Sequence, residues 1–177
     1  GEYSEGIELN AIQRANPEMQ KRVSNVIRSL VESKDNPIVS IHDHGAGGHL
    51  NCLSEIVETT GGVIEIDKLP IGDETLSAKE IIGNESQERM GLLIDQQDID
   101  KIELIASREQ APFYVVSETT GDMKLTFTQP DGVKPIDMNL GDFFGKTPET
   151  VMNDVTITKE YSSPEYNIEK LEKYIEN

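Results

Sequence analysis

The fold of this chain is decided by Ile38-Val39-Ser40-Ile41-His42-Asp43-His44-Gly45-Ala46-Gly47-Gly48. Its first four residues form a short β-branched run, which is typical of a buried strand. The run leads directly into an acidic residue and a glycine-rich turn. A helix is expected at about 49–60, because Leu50, Leu53 and Ile56 then fall on one face. The stretch therefore predicts a strand, a glycine-rich junction and a helix.

Upstream of this junction the sequence predicts another helix, which begins at Asn16-Pro17-Glu18. Asn is a favourable N-cap, Pro fits the first helical position, and Glu suits the helix dipole. Met19, Val23 and Ile27 recur every four residues and mark a buried stripe. The helix should end near Ser33, before Asp35-Asn36-Pro37.

Downstream, apolar runs alternate between strand and helix patterns. Ser77 and Glu80 have the spacing of a capping box at the start of a short helix. Strands are expected at 63–66, 90–94, 113–116, 124–128 and 132–138, a helix at 96–108, and one helical turn at 140–144. This order favours an α+β protein, with α/β layers in which helices flank a mixed β-sheet. It does not favour a helical bundle or an all-β sandwich.

Composition limits the possible partners. The chain has 177 residues, and its 33 Asp and Glu against 16 Lys and Arg give a formal charge of −17. Such a charge argues against nucleic acid or an anionic membrane as a partner. No apolar run approaches the roughly 18 residues of a transmembrane helix, and the first residues lack a signal-peptide pattern. With Cys52 as the single cysteine, no internal disulfide forms, and a cytoplasmic location is expected.

The chain divides into three regions by pattern. Residues 1–9 are interpreted as a leader or cloning remnant, 10–150 as the domain, and 151–177 as an acidic linker or tail. The tail has little apolar periodicity before Ser162-Ser163-Pro164. It could be helical at its end, where Ile168, Leu171 and Ile175 share one helix face.

The first candidate site is Asp43 with Gly45, Gly47 and Gly48. Glycines let a backbone approach a phosphate, and the amides of the next helix could receive an anion. A carboxylate at the end of a strand could hold Mg²⁺, which prefers oxygen ligands. The alternative is a tight turn in which local amides satisfy Asp43. The spacing matches neither a Walker loop nor a dinucleotide fingerprint.

A second candidate is the polar run Asn84-Glu85-Ser86-Gln87-Glu88-Arg89, which enters a predicted strand. Glu85, Ser86 and Gln87 supply an acid, a hydroxyl and an amide that could orient a polar ligand. Gln13 could overhang the same edge if the first helix returns the chain there. For both segments the alternative is a solvated loop or strand entry.

The histidines and the cysteine are weaker candidates. His42, His44 and His49 cluster within eight residues, but no cysteine assists them, so a structural zinc site is disfavoured. Cys52 falls among apolar neighbours and is expected to be buried rather than reactive.

Three segments taken together, at 13–19, 41–48 and 84–89, closely resemble the phosphoribosylformylglycinamidine synthase family in its large multidomain form. The resemblance covers about residues 10–155. It implies the first C-terminal-type domain of a core similar to aminoimidazole ribonucleotide synthetase, with a mixed sheet related to split βαβ architectures. His44 and His49 depart from the resemblance, since relatives usually have apolar residues there.

The resemblance also implies an activity. The family is an ATP-dependent ligase that converts formylglycinamide ribonucleotide to its amidine in purine synthesis, with Mg²⁺ and with ammonia from a glutaminase domain. It implies that Asp43 binds Mg²⁺, that Gly45, Gly47 and Gly48 form a phosphate loop, and that substrate is contacted by Gln13, Glu85, Ser86 and Gln87. ATP is a co-substrate bound mainly by a partner domain, so the chain alone is expected to be inactive.

Two rival interpretations stay open. The domain could be a structural or auxiliary nucleotide-holding part of the same synthase. It could also be a free-standing relative, such as a small kinase of the same superfamily, although no ATP-loop segment is visible in the sequence.

Overall fold

A computed structural model describes residues 16–85 and 87–165. Gln13, Ser86, the expected leader and the expected terminal helix at 166–177 lie outside these residues. The helices are Pro17–Val31 (α1), Gly48–Ile56 (α2), Ala78–Gly83 (α3), Ile99–Arg108 (α4) and Leu140–Phe144 (α5), with 3₁₀ turns at Ile66–Lys68 and Gln96–Asp98. The strands are Ile38–Asp43 (β1), Gly62–Glu65 (β2), Met90–Ile94 (β3), Ser117–Thr119 (β4), Lys124–Thr128 (β5) and Ile136–Asn139 (β6).

The strands form two sheets. One has the order β4-β2-β5-β6, in which β2 and β5 are parallel and the other neighbours are antiparallel. The second is the antiparallel pair β1 and β3. The expected α+β architecture with a mixed sheet is thus confirmed.

Two apolar clusters hold the elements together. In the larger one, α2 packs on the four-stranded sheet through residues that include Val57, Ile64 and Phe127. In the smaller one, Leu30 of α1 meets Ile102 of α4. Each of these five side chains is almost completely buried, and burial of one such side chain stabilises the fold by roughly 1.5–3 kcal/mol. The larger cluster fixes α2, and therefore the loop that precedes it.

Local signals set the helix starts where they were expected. The Oδ1 of Asn16 accepts a hydrogen bond from the Met19 amide at 3.1 Å, which caps α1. Ser77 and Glu80 form the predicted capping box, with both reciprocal hydrogen bonds present at the start of α3.

The strand expected at 113–116 is wrong. Tyr114 and Val115 are 52% and 45% exposed, and the strand in this region is Ser117–Thr119. Among the described residues, the 113–116 segment joins the sheet by hydrogen bonding only through the Val116 carbonyl, which accepts from the Glu65 amide at 3.0 Å. A β-branched run identifies strand propensity, but the available partner edge of β2 decides which residues pair.

Two element boundaries also moved. The helix expected at 49–60 ends at Ile56, because Gly61 takes a left-handed conformation, with φ of 80°, and its amide bonds the Val57 carbonyl. The strand expected at 132–138 begins only at Ile136, since Pro135 has no N–H to donate.

Residues 146–177 form a second unit. Within its described part, 146–165, there is no helix or strand and the side chains are exposed. Throughout the described residues, no helix is both long and apolar enough to cross a membrane.

Candidate functional site

The end of β1 and the start of β3 lie side by side. Asp43 is paired with Met90 in the antiparallel ladder, and the His44 amide donates to the Arg89 carbonyl at 3.1 Å. The glycine-rich loop therefore begins directly beside the polar run that leads into β3.

The far end of the loop touches the same run. Gly48 has a φ of 60°, and a Cβ on it would lie 2.5 Å from the Asn84 carbonyl oxygen. Only glycine permits this approach, because a methyl group cannot be accommodated at that distance. Asn84 and Arg89 thus both meet the loop, and we call residues 43–48 together with 84–85 and 87–90 the rim.

Asp43 stands exposed on this rim. Its carboxylate accepts no hydrogen bond from the part of the chain that the structure describes, so the alternative of a carboxylate satisfied by local amides is not supported. No group of three His, Cys, Asp or Glu suited to a metal occurs among the described residues. One carboxylate fits Mg²⁺ bound jointly with water and substrate phosphates, rather than in a closed protein cage.

The polar run turns sharply before β3. Glu88 has a φ of 63°, a left-handed conformation that is uncommon for a residue with a side chain. Gln87, before this turn, and Arg89, after it, both line a cavity of about 480 Å³. Glu85 follows Asn84 and is partly buried. Of the predicted substrate contacts, Glu85 and Gln87 are therefore placed at the rim, whereas Gln13 and Ser86 lie outside the described residues.

His44 and His49 form a buried pair behind the loop. The Nε2 of His44 lies 3.0 Å from the Nδ1 of His49, with the rings edge to face. Burial lowers the pKa of each ring to about 4, so both are neutral near pH 7. Arg89 Nη1 lies 3.4 Å from His49 Nε2 and can only donate, so His49 Nδ1–H donates to His44. Among the described residues, the remaining His44 Nδ1 has no partner.

His42 and Cys52 do not join this pair. The Nδ1 of His42 contacts Glu55 Oε2 at 2.8 Å. The Cys52 thiol is fully buried and donates to the His42 carbonyl at 3.5 Å, and burial raises its pKa to about 12. The expectation of a buried cysteine is confirmed, and the raised pKa disfavours the reactive thiolate.

Arg89 is the residue to which sequence reasoning assigned no role. Burial lowers the pKa of its guanidinium, and its side chain lines the cavity beside Gln87. The available signal was that Arg89 is the single cation in the run 84–89. Its environment, however, depends on contacts with α2 that the sequence does not display.

Fold and rim together define an α+β domain in which an exposed carboxylate, a glycine-rich loop and a polar run meet. The chain belongs to the family described as AIR synthase related protein, C-terminal domain, whose model matches residues 1–129. This membership confirms the domain type that the three motifs indicated.

Curated relatives are far longer than this chain. It is 40% identical over 175 residues to phosphoribosylformylglycinamidine synthase of Saccharomyces cerevisiae, covering 97% of this chain and 13% of the relative. The synthase of the same name from Dictyostelium discoideum is 39% identical over 152 residues, covering 84% and 11%. The chain thus spans about a tenth of these relatives.

Solved structures share the fold. Phosphoribosylformylglycinamidine synthase II from Thermotoga maritima has a TM-score of 0.67 at 23% identity, covering 88% of this chain and 26% of that one. A T. maritima PurL structure described as complexed with ATP has a TM-score of 0.68 at 24% identity, covering 92% and 29%. One described as complexed with FGAR has a TM-score of 0.67 at 23% identity, covering 85% and 25%.

Proposed function

We propose that this chain is one domain of an ATP-dependent ligase that converts formylglycinamide ribonucleotide to formylglycinamidine ribonucleotide. In this proposal the chain supplies one wall of the substrate and Mg²⁺ site. The observation that carries it is the rim, where Asp43 and the glycine loop meet the polar run 84–89. Identity of about 40% to synthases from two organisms supports the same choice.

The residues of the rim suit the proposed reaction. In it, the γ-phosphoryl group of ATP moves to the amide oxygen of the substrate, and ammonia then displaces phosphate at that carbon. Asp43 would hold Mg²⁺, which when bound offsets phosphate charge. Gln87 has an amide that can hydrogen-bond the substrate amide and orient it, and Glu85 and Ser86 are proposed as further substrate contacts. Glycines at 45, 47 and 48 would let the loop backbone approach phosphate oxygens, while the Gly48 amide itself donates to the Gly45 carbonyl at 3.0 Å.

Other domains complete the proposed enzyme. The matching segments make up only 11–13% of the relatives. We place ATP binding mainly on an ATP-loop domain and ammonia release on a glutaminase domain of the same protein, in the cytoplasm. A chain with a formal charge of −17 cannot by itself offset the charges of ATP and a ribonucleotide. The isolated chain is therefore expected not to turn over substrate.

A chimeric enzyme tests the proposal. The matching segment of the S. cerevisiae synthase is replaced by this chain, and amidine formation is measured with glutamine, ATP and Mg²⁺. Asp43→Asn should lower kcat/KM by about 100-fold, the scale of losing a preorganised charged group. Gln87→Ala should lower kcat/KM by about 10-fold, as expected for a lost hydrogen bond to substrate.

Two exposed residues provide matched controls. Asp100→Asn in α4 and Gln97→Ala in the preceding 3₁₀ turn make the same chemical changes at exposed positions. Both should leave kcat/KM and thermal melting unchanged. If Asp43→Asn and Gln87→Ala lower only the melting temperature, the domain is structural or auxiliary and the proposed role is wrong.

A further inference from the structure

The two sheets of the domain border one cavity, of about 480 Å³, with an unpaired strand each. Among the residues that the structure describes, β3 pairs only with β1, and β4 pairs only with β2. All five residues of β3 line the cavity, and so do Ser117 and Thr119 of β4. The cavity therefore lies where one edge of each sheet has no neighbouring strand.

The backbone groups at these two edges point away from the strands that are already paired. The His44 amide bonds the Arg89 carbonyl, and because an antiparallel ladder alternates, the N–H and C=O of Leu92 point away from β1. The Val116 carbonyl bonds β2, so the N–H and C=O of the next residue, Ser117, point away from β2. Leu92 and Ser117 both line the cavity, and each offers a donor and an acceptor to a further strand.

Apolar side chains cover this cavity from both faces of the sheet. Successive residues of β3 point to opposite faces, and Leu93 packs against the larger apolar cluster while Ile94 packs against the smaller one. Leu53 of α2, from the larger cluster, and Val26 of α1, from the smaller one, also line the cavity. A strand with helices on both faces is a near-continuous apolar run, so an occupant must be apolar on both of its faces.

Two further groups beside the cavity lack partners. The segment 113–116 has the composition of a strand, yet among the described residues its one backbone hydrogen bond is that of the Val116 carbonyl, and Tyr114 and Val115 are exposed. His44 is buried and lines the same cavity, and its Nδ1 has no partner in the described part of the chain. The backbone of an additional strand can supply partners to both, which a side-chain-lined pocket would not require.

We propose that the cavity receives an apolar β-strand from a part of the parent protein outside this chain. The inference rests on the proposed function, in which the chain is one domain of a longer synthase, and the matching segments are only 11–13% of the relatives. Residues 1–15 and 166–177 contain no more than two consecutive apolar residues, so neither supplies a suitable run. The added strand pairs with β3 on one edge and β4 on the other, and joins the two sheets into one.

The test is residue-resolved hydrogen–deuterium exchange without any ligand. The 177-residue chain is compared with the chimeric synthase in which it replaces the matching S. cerevisiae segment. The amides of Leu92 and Ser117 should exchange more slowly in the chimera by about 100-fold or more, because only there does a strand pair with them. The adjacent amides of Gly91 and Glu118, which face β1 and β2, are the matched controls and should exchange slowly in both proteins.

Rapid exchange at Leu92 or Ser117 in the chimera would overturn the inference. Slow exchange of both in the isolated chain would overturn it as well, because this chain or a second copy would then cover the edges. If the isolated chain does not fold, Gly91 and Glu118 exchange rapidly in it, and the chimera alone decides: Leu92 and Ser117 must exchange as slowly as these controls.

Turnover of the chimera is a separate measurement. An active chimera with rapid exchange at Leu92 and Ser117 would leave the proposed function standing and remove only the added strand. An inactive chimera in which both amides exchange slowly would support the strand and count against the proposed function.

Discussion

At the scale of single residues, the His44–His49 pair makes the fold sensitive to mild acid. Both rings are buried and neutral, and desolvation lowers the pKa of each from 6.5 to about 4. The unfolded chain therefore binds protons at these histidines as the pH falls below about 6.5, whereas the folded chain resists protonation until about pH 4. Acidification through this window favours unfolding.

We predict a loss of roughly 2 kcal/mol of unfolding free energy for each histidine between pH 7 and pH 5. Ordinary carboxyl pKa values lie near 4, below this range, so carboxylates should add little to the change. The double substitution His44→Leu/His49→Leu should flatten the dependence, as judged by urea denaturation at pH 7, 6 and 5. An equally steep loss of stability in the double variant would show that the pair is not its source.

Features of single residues could be predicted where they depend on neighbours in the sequence, but not where they depend on tertiary contacts. Asp43 and the loop glycines follow one another in the chain, so their chemistry could be recognised from sequence and the structure places them together at the rim. The placement of Arg89 beside the cavity is a tertiary property and left no local pattern. The contact between His44 and His49 likewise depends on the turn between them.

At the scale of elements, the contact between Gly48, at the start of α2, and Asn84, just after α3, fixes the shape of the glycine-rich loop. We predict that Gly48→Ala destabilises the chain by about 2 kcal/mol or more, since the new methyl would meet the Asn84 carbonyl oxygen and the backbone is left-handed. Gly45→Ala is the matched control, because its Cβ would lie 3.5 Å from the nearest neighbour, Asp43 Oδ2. Chemical denaturation measures both, and equal stabilities for the two variants would contradict the close packing.

Helix starts were predictable, whereas strand limits were not. The side chains of Asn16 and Ser77 cap their helices by accepting hydrogen bonds from backbone amides only three residues further along the chain. The strand expected at 113–116 failed because pairing depends on where β2 presents a free edge, which is a long-range property. The start of β6 was also missed, because Pro135 has no backbone N–H to donate and the strand begins only after it.

At the scale of the whole molecule, the strong negative charge shapes the proposed role. A chain with a formal charge of −17 repels phosphate groups except where local donors gather. In the proposed role the rim would be such a place, because Asp43 and the glycine-rich loop lie together there. Cations and the ATP site must then come from other domains of the proposed synthase.

The most direct measurement is hydrogen–deuterium exchange of the chimeric synthase, with and without formylglycinamide ribonucleotide plus a non-hydrolysable ATP analogue and Mg²⁺. If the rim is one ligand-binding wall, peptides covering 43–49 and 84–91 should gain protection together, while those covering β5 and β6 should not change. Protection confined to one of the two rim segments, or appearing instead at β5 and β6, would contradict a shared wall.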